Sequence, residues 1–189
     1  TPTLTFTLFR PTTVPVLIIK PQWLEMILSG KKVWEIRGSR ILKHVGQVVY
    51  LAASGTAAIS GRAMLVNCHG PLSQNEWTDS FELHRVPAGE IVHPAHRCDV
   101  RPYGIRTYAW EFGSGSVQRA QHPISFTRNA AVIFQDVELQ PWQIAEAQFV
   151  SVEPLCPPRT PPLHGHNSRW DRLQRRGSEL GSTSTQSEF

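Results

Sequence analysis

The sequence predicts a mixed α+β domain of five or six strands and two short helices, with strands dominating after the first helix. Three observations carry this reading. Residues 16–19, 48–53 and 57–67 are apolar runs of strand length, and residues 105–112 alternate and are rich in aromatic side chains. Clean helical spacing occurs once, over residues 21–29. Fifteen prolines and 13 glycines in 189 residues divide the chain into short elements.

Residues 1–15 alternate Thr with Leu4, Phe6 and Leu8 and then meet Pro11 and Pro15, so they read as an edge strand or a flexible leader. Val16 to Ile19 form a first buried strand that stops before Pro21. Pro21 suits a first helical turn, where its missing N–H has no partner to lose. Trp23, Leu24, Ile27 and Leu28 then make one apolar helical face, and Gly30 ends the helix. The next strand, Lys32 to Arg37, places Trp34 and Ile36 on one face and Glu35 and Arg37 on the other. Strands over 48–53 and 57–67 follow, with Gly61 marking a bulge or a close backbone approach. Ser73 and Glu76 make a capping-box pattern that predicts a second helix between residues 71 and 85. Residues 86–104 read as loop, 105–112 as strand, 113–116 as turn and 131–137 as a last strand. Beyond about Val152 the chain becomes rich in Pro, Ser and Thr, a composition that predicts disorder. The expected organisation is a leader over 1–15, one domain over 16–140 and a C-terminal extension over 141–189 that is mostly disordered.

The longest apolar run, Val14 to Ile19, is far short of the ~20 residues of a membrane-spanning helix, so no membrane association is expected. Three scattered cysteines and no signal-peptide pattern before the first of them point to a reducing compartment, cytoplasmic or nuclear. Net charge is +4, and its distribution is informative. The 27 residues from Lys20 to Gly46 hold six basic and two acidic side chains, so the whole excess sits in one segment. Such a segment either attracts anions or forms a solvated face.

Lys32, Glu35 and Arg37 follow the helix-ending Gly30 and gather on the polar side of one strand. Two cations with a carboxylate between them can hold a phosphate or carboxylate and accept a hydrogen bond from a base or amide. The same residues also fit a surface strand whose ion pairs serve solubility. Aromatic side chains at Tyr50, Trp77, Tyr103, Tyr108 and Trp110 are either core or a stacking surface for bases, and Tyr103, in a Pro- and Gly-flanked loop, is the best placed for contact. His93, His96 and Cys98 are zinc-type ligands in a spacing that matches no paired knuckle, so no metal and no cofactor are expected.

Gly30, Lys32, Glu35 and Arg37 fit the G-x-K-x-x-E-x-R signature, and the surrounding LIIKPQWLEMILSG, VVYLAAS, AISGRAMLV and YAWEF stretches fit with it. Over residues 16–137 the chain therefore resembles the ASCH (activating signal cointegrator homology) domain family. The resemblance implies a PUA-like β-barrel and RNA binding, in the setting of transcription coactivation or RNA metabolism. It implies a ligand held at Lys32, Glu35 and Arg37; with Tyr103 as the loop contact read from the residues, the expectation is a soluble, monomeric RNA- or nucleotide-binding module. Some bacterial members hydrolyse acylated cytidines with a Lys, a Thr and a Glu, but Glu35 stands where they carry the Thr. A carboxylate attacking an amide would leave a mixed anhydride, so it does not replace that hydroxyl. Other bacterial members are ribonucleases, for which Lys32 and Glu35 would be the catalytic pair. A hydrolase using the same residues is thus the alternative reading. A third is protein interaction through the Pro-rich extension, which contains P-x-x-P patterns between Pro154 and Pro161.

Overall fold

The computed structural model describes residues 10–87, 107–129 and 132–155, all within a compact unit that spans Thr1–Pro157. The Pro/Ser-rich extension beyond residue 155, Tyr103 and the His93, His96 and Cys98 group lie outside the described residues.

Eight strands form one curled sheet: β1 (Thr12–Ile19), β2 (Trp34–Arg37), β3 (Gln47–Ala53), β4 (Ala58–His69), β5 (Tyr108–Phe112), β6 (Gln118–Ser125), β7 (Phe134–Leu139) and β8 (Phe149–Ser151). The helices are α1 (Pro21–Leu28), α2 (Gln74–Asp79), α3 (Phe81–His84) and α4 (Pro141–Glu146). Neighbours run β2-β5-β4-β3-β1-β7, with β6 on β4 and β8 on β6. Among the described residues only β1 and β3 pair in parallel, and α1 lies in the connection between them. No helix among the described residues is long and apolar enough to cross a membrane.

Alternation along the strands divides the core. Leu17, Ile19, Val49, Leu51, Ala63, Leu65 and Phe112 meet the apolar face of α1, where Trp23, Leu24, Ile27 and Leu28 are buried. Val14, Val16, Ile18, Tyr50, Ala52 and Ile59 point the other way and pack with Ile124, Val137, Leu139 and Ala147. Ser73 caps α2 as its sequence spacing requires: its Oγ accepts from Glu76 N at 3.3 Å, and its N–H donates to Glu76 Oε2 at 2.8 Å.

Several elements differ from the sequence reading. Of the two readings for residues 1–15, residues 12–15 take the strand and lengthen β1. Among the described residues the sheet has eight strands, two or three more than the five or six expected. β6 is largely polar, with only Ala120 and Ile124 buried, so it lacks an apolar period. β8 is three residues long and lies with α4 beyond residue 140, where the sequence pattern ends the barrel. The chain then runs to Leu155, whose N–H donates to Gly30 O at 3.3 Å.

Gly61 is where α1, β4 and β6 come closest. A Cβ there would collide with Leu28 Cδ2 and lie 2.6 Å from Gln118 O. The register of β4 against both β3 and β6 also shifts beside it. Gly61→Ala should therefore destabilise the fold by about 1–3 kcal/mol through overpacking. Urea titration of the variant checks this, and an unchanged midpoint would contradict the close approach.

Candidate functional site

The site begins at the end of α1. Gly30 adopts φ +73°, and the backbone of Glu153 and Pro154 passes so close that a Cβ would lie 2.5 Å from Glu153 O. Lys31 N and Lys32 N both return to Met26 O, which turns the chain sharply into β2. The turn delivers Lys32 inward.

β2 pairs with β5 so that Glu35 is opposite Trp110 and Arg37 opposite Tyr108. The sequence assigns Glu35 and Arg37 to a polar face, and alternation holds, but that face lies inside the curled sheet. Lys32 is 1% exposed, Glu35 4%, and the Arg37 side chain 16%. The solubility reading is thereby corrected: these are interior charges.

Their partners are specific. Arg37 Nη2 donates to Ile18 O at 2.7 Å and lies 3.2 Å from Glu35 Oε1. Lys32 Nζ donates to His84 O at 2.6 Å and faces Glu35 Oε2 at 3.7 Å, an ion pair without a hydrogen bond. The indole of Trp23 lies 5.2 Å from Lys32 Nζ, and that of Trp110 lies 5.7 Å from the Arg37 guanidinium carbon. Two buried atoms of this cluster, Glu35 Oε2 and Arg37 Nε, have no hydrogen-bond partner. One acceptor and one donor of the cluster, both buried, are thus left without a hydrogen bond.

The sequence reading missed the supporting residues. His84 is fully buried, stacks on Trp77 with centroids 4.0 Å apart, donates from Nε2 to Trp77 O and accepts from Val86 N at Nδ1. Burial chiefly, and then the Lys32 charge, lower its pKa to about 4, so it stays neutral and holds its own carbonyl toward Lys32. α3 grips the signature turn further: Val33 N donates to Leu83 O at 3.0 Å, and Arg85 Nε donates to Lys31 O at 3.3 Å. Nothing in the spacing of His84 or Ile18 marks them for this role.

Of the aromatic candidates, Tyr50, Trp77 and Trp110 are buried and Tyr108 is half-buried, so Tyr50 and Trp77 belong to the packing. Trp110 borders the cluster and donates from Nε1 to Ser39 O at 3.0 Å. Among the described residues no group of three His, Cys, Asp or Glu side chains could hold a metal ion.

Burial, opposed by the Glu35 charge and assisted by that of Arg37, lowers the Lys32 pKa from 10.5 to about 8. Between pH 8 and 10.5 the unfolded chain therefore holds a proton that the folded chain has released, and stability rises with pH across that window. The contribution is on the order of 3 kcal/mol. In Lys32→Met this rise should be absent, so the difference between variant and wild-type urea midpoints should change steadily from pH 8 to 10.5. A constant difference would show that Lys32 titrates as an exposed lysine.

Comparison with known proteins agrees with the signature. A model of the ASCH domain matches residues 17–125, more than half of the chain. No curated protein matches it. A crystal structure of ASCH from Zymomonas mobilis is similar over 74% of this chain and 97% of that one, at 16% identity and a TM-score of 0.49. A tyrosine-to-phenylalanine variant of the Zymomonas mobilis protein is similar over 74% and 100%, at 15% identity and a TM-score of 0.48. On the signature residues and the family match together, the chain belongs to the ASCH domain family.

Proposed function

We propose that this ASCH domain binds RNA or a nucleotide-like ligand beside Lys32, Glu35 and Arg37, as a binding module acting in RNA metabolism or transcription coactivation inside the cell. The observation that carries the reading is the open pair at Glu35 Oε2 and Arg37 Nε. A buried acceptor and donor left without partners are costly unless a ligand or water completes them. A nucleobase edge carries a donor next to an acceptor, whereas a phosphate carries acceptors only and would face the Glu35 carboxylate. The indoles of Trp23 and Trp110 line the same cations. Exposed Lys31 and Lys43, from the basic segment, supply charge for the phosphates around such a base. Tyr103 is the proposed stacking contact from the loop, and the Pro-rich extension the proposed protein-binding segment.

A hydrolase acting on RNA or a modified nucleoside is the second reading. Lys32, with a pKa near 8, favours it, because a buried amine close to neutrality can exchange protons with a substrate. In that case Glu35→Gln abolishes turnover and largely spares binding.

Binding is tested by titrating single-stranded RNA at several salt concentrations. Lys31→Ala should lower the slope of log affinity against log salt by about 0.7, the share of one phosphate contact on a single strand. Glu35→Gln, which turns one acceptor into a donor, should cost at least about tenfold in affinity with the slope unchanged. RNA affinity equal to wild type in both variants, with folding verified by circular dichroism, would remove this cluster as the binding site.

A further inference from the structure

The sheet is left open between β6 and β7. The two strands follow one another in the chain, yet β7 pairs with β1 alone, and β6 pairs with β4 and β8. Gln135 of β7 reaches the segment that follows β6: its Nε2 donates to Thr127 O at 2.6 Å, and its Oε1 accepts from Asn129 N at 2.9 Å. Beyond that bridge lies a groove of about 370 Å³, walled by residues 125–127 on one side and 135–138 on the other.

The backbone phase shows what faces this groove. Ile18 N donates to Ile133 O at 2.8 Å, in the same register that sets Leu17 opposite Phe134 and Val16 opposite Gln135. Hydrogen-bonded and non-bonded pairs alternate in an antiparallel ladder. Gln135 and Val137 therefore spend their main-chain groups on β1, while Phe134, Asp136 and Glu138 turn theirs to the outer edge. Pro15, which has no N–H to give, stands opposite Asp136, at one of the non-bonded positions. On the other wall, Phe126 N donates to Ala57 O at 3.0 Å, which turns the main chain of Ser125, opposite Ala58, away from β4. Among the described residues no strand takes up the outer edge of β7.

The groove is also charged. Asp136 and Glu138 line it, no basic side chain among the described residues does, and the ion pair of Asp136 with Lys43, at 4.0 Å, joins two exposed side chains. Such a pair is worth little and is readily exchanged.

We propose that the outer edge of β7 takes up an extended segment of a partner protein with lysine or arginine at alternate positions. The segment is added as a further strand, its main chain bonding to Phe134, Asp136 and Glu138. Main-chain bonds provide the affinity, and the alternate basic side chains, on the face shared by Asp136 and Glu138, provide the selectivity. The inference is independent of the Lys32, Glu35 and Arg37 cluster.

The test uses the full chain and two synthetic eight-residue peptides, one alternating lysine with valine and the other glutamate with valine. In the free protein the amides of Asp136 and Glu138 should exchange with solvent rapidly and those of Gln135 and Val137 slowly. The basic peptide should bind saturably and slow exchange at Asp136 and Glu138, whereas the acidic peptide should not bind. Asp136→Pro removes an outward N–H that β1 does not use, so it should keep the unfolding midpoint while weakening the basic peptide at least tenfold. Should that variant fold poorly, the double substitution Asp136→Lys with Glu138→Lys is expected to give the same loss with the fold intact. The proposal is overturned by slow exchange at Asp136 and Glu138 in the free protein, which would mean that the chain already covers this edge. It is equally overturned if the basic peptide fails to bind, if both peptides bind alike, or if the folded variants bind like wild type.

Discussion

The Glu35 carboxylate, enclosed between Lys32 and Arg37, is the interaction around which the surrounding structure is arranged. Charges taken from water lose several kcal/mol each, and their mutual attraction offsets this only when the remaining polar atoms are also satisfied. The fold provides part of that, from three directions, and leaves Glu35 Oε2 and Arg37 Nε without a hydrogen bond. β1 presents Ile18 O to Arg37, α3 presents His84 O to Lys32, and two indoles lie against the cations. The sharp turn at Gly30 aims Lys32 inward, and the chain near Glu153 closes over that glycine. The three side chains and their partners thereby tie the turn, α3 and β1 together.

That arrangement separates two tasks which a surface patch would mix. The exposed lysines of the basic segment provide a salt-sensitive attraction that any polyanion satisfies. On the proposed function, the enclosed carboxylate and guanidinium, with one acceptor and one donor not hydrogen-bonded, would distinguish ligands by hydrogen-bond pattern. A module that binds through both is attracted by charge and selects by shape. The same enclosure lowers the pKa of Lys32, a property that a binding module tolerates and a hydrolase would use.

Much of this was legible in the sequence, for identifiable reasons. Pro21, the spacing of Trp23, Leu24, Ile27 and Leu28, and Gly30 specify α1 locally, and Ser73 with Glu76 specifies the start of α2. Alternation placed Glu35 and Arg37 on one face and Trp34 and Ile36 on the other. What alternation cannot supply is which face the rest of the sheet encloses, because that depends on β1, β3 and β4 curling around a strand only four residues long. β6 stayed hidden because its partners β4 and β8 satisfy its backbone while its side chains remain mostly polar. His84 and the Ile18 carbonyl enter the site through tertiary packing across 52 and 19 residues of chain, a distance over which periodicity carries no information.

The central claim is that Glu35 and Arg37 keep an open acceptor and donor for a ligand, and the Arg37 Nε–H proton reports on it directly. Its NMR resonance, followed as cytidine and single-stranded RNA are added, should move downfield on binding. Inorganic phosphate at the same ionic strength should leave it unmoved. A resonance that the nucleoside leaves unmoved, or that responds to phosphate and not to the nucleoside, would contradict the account.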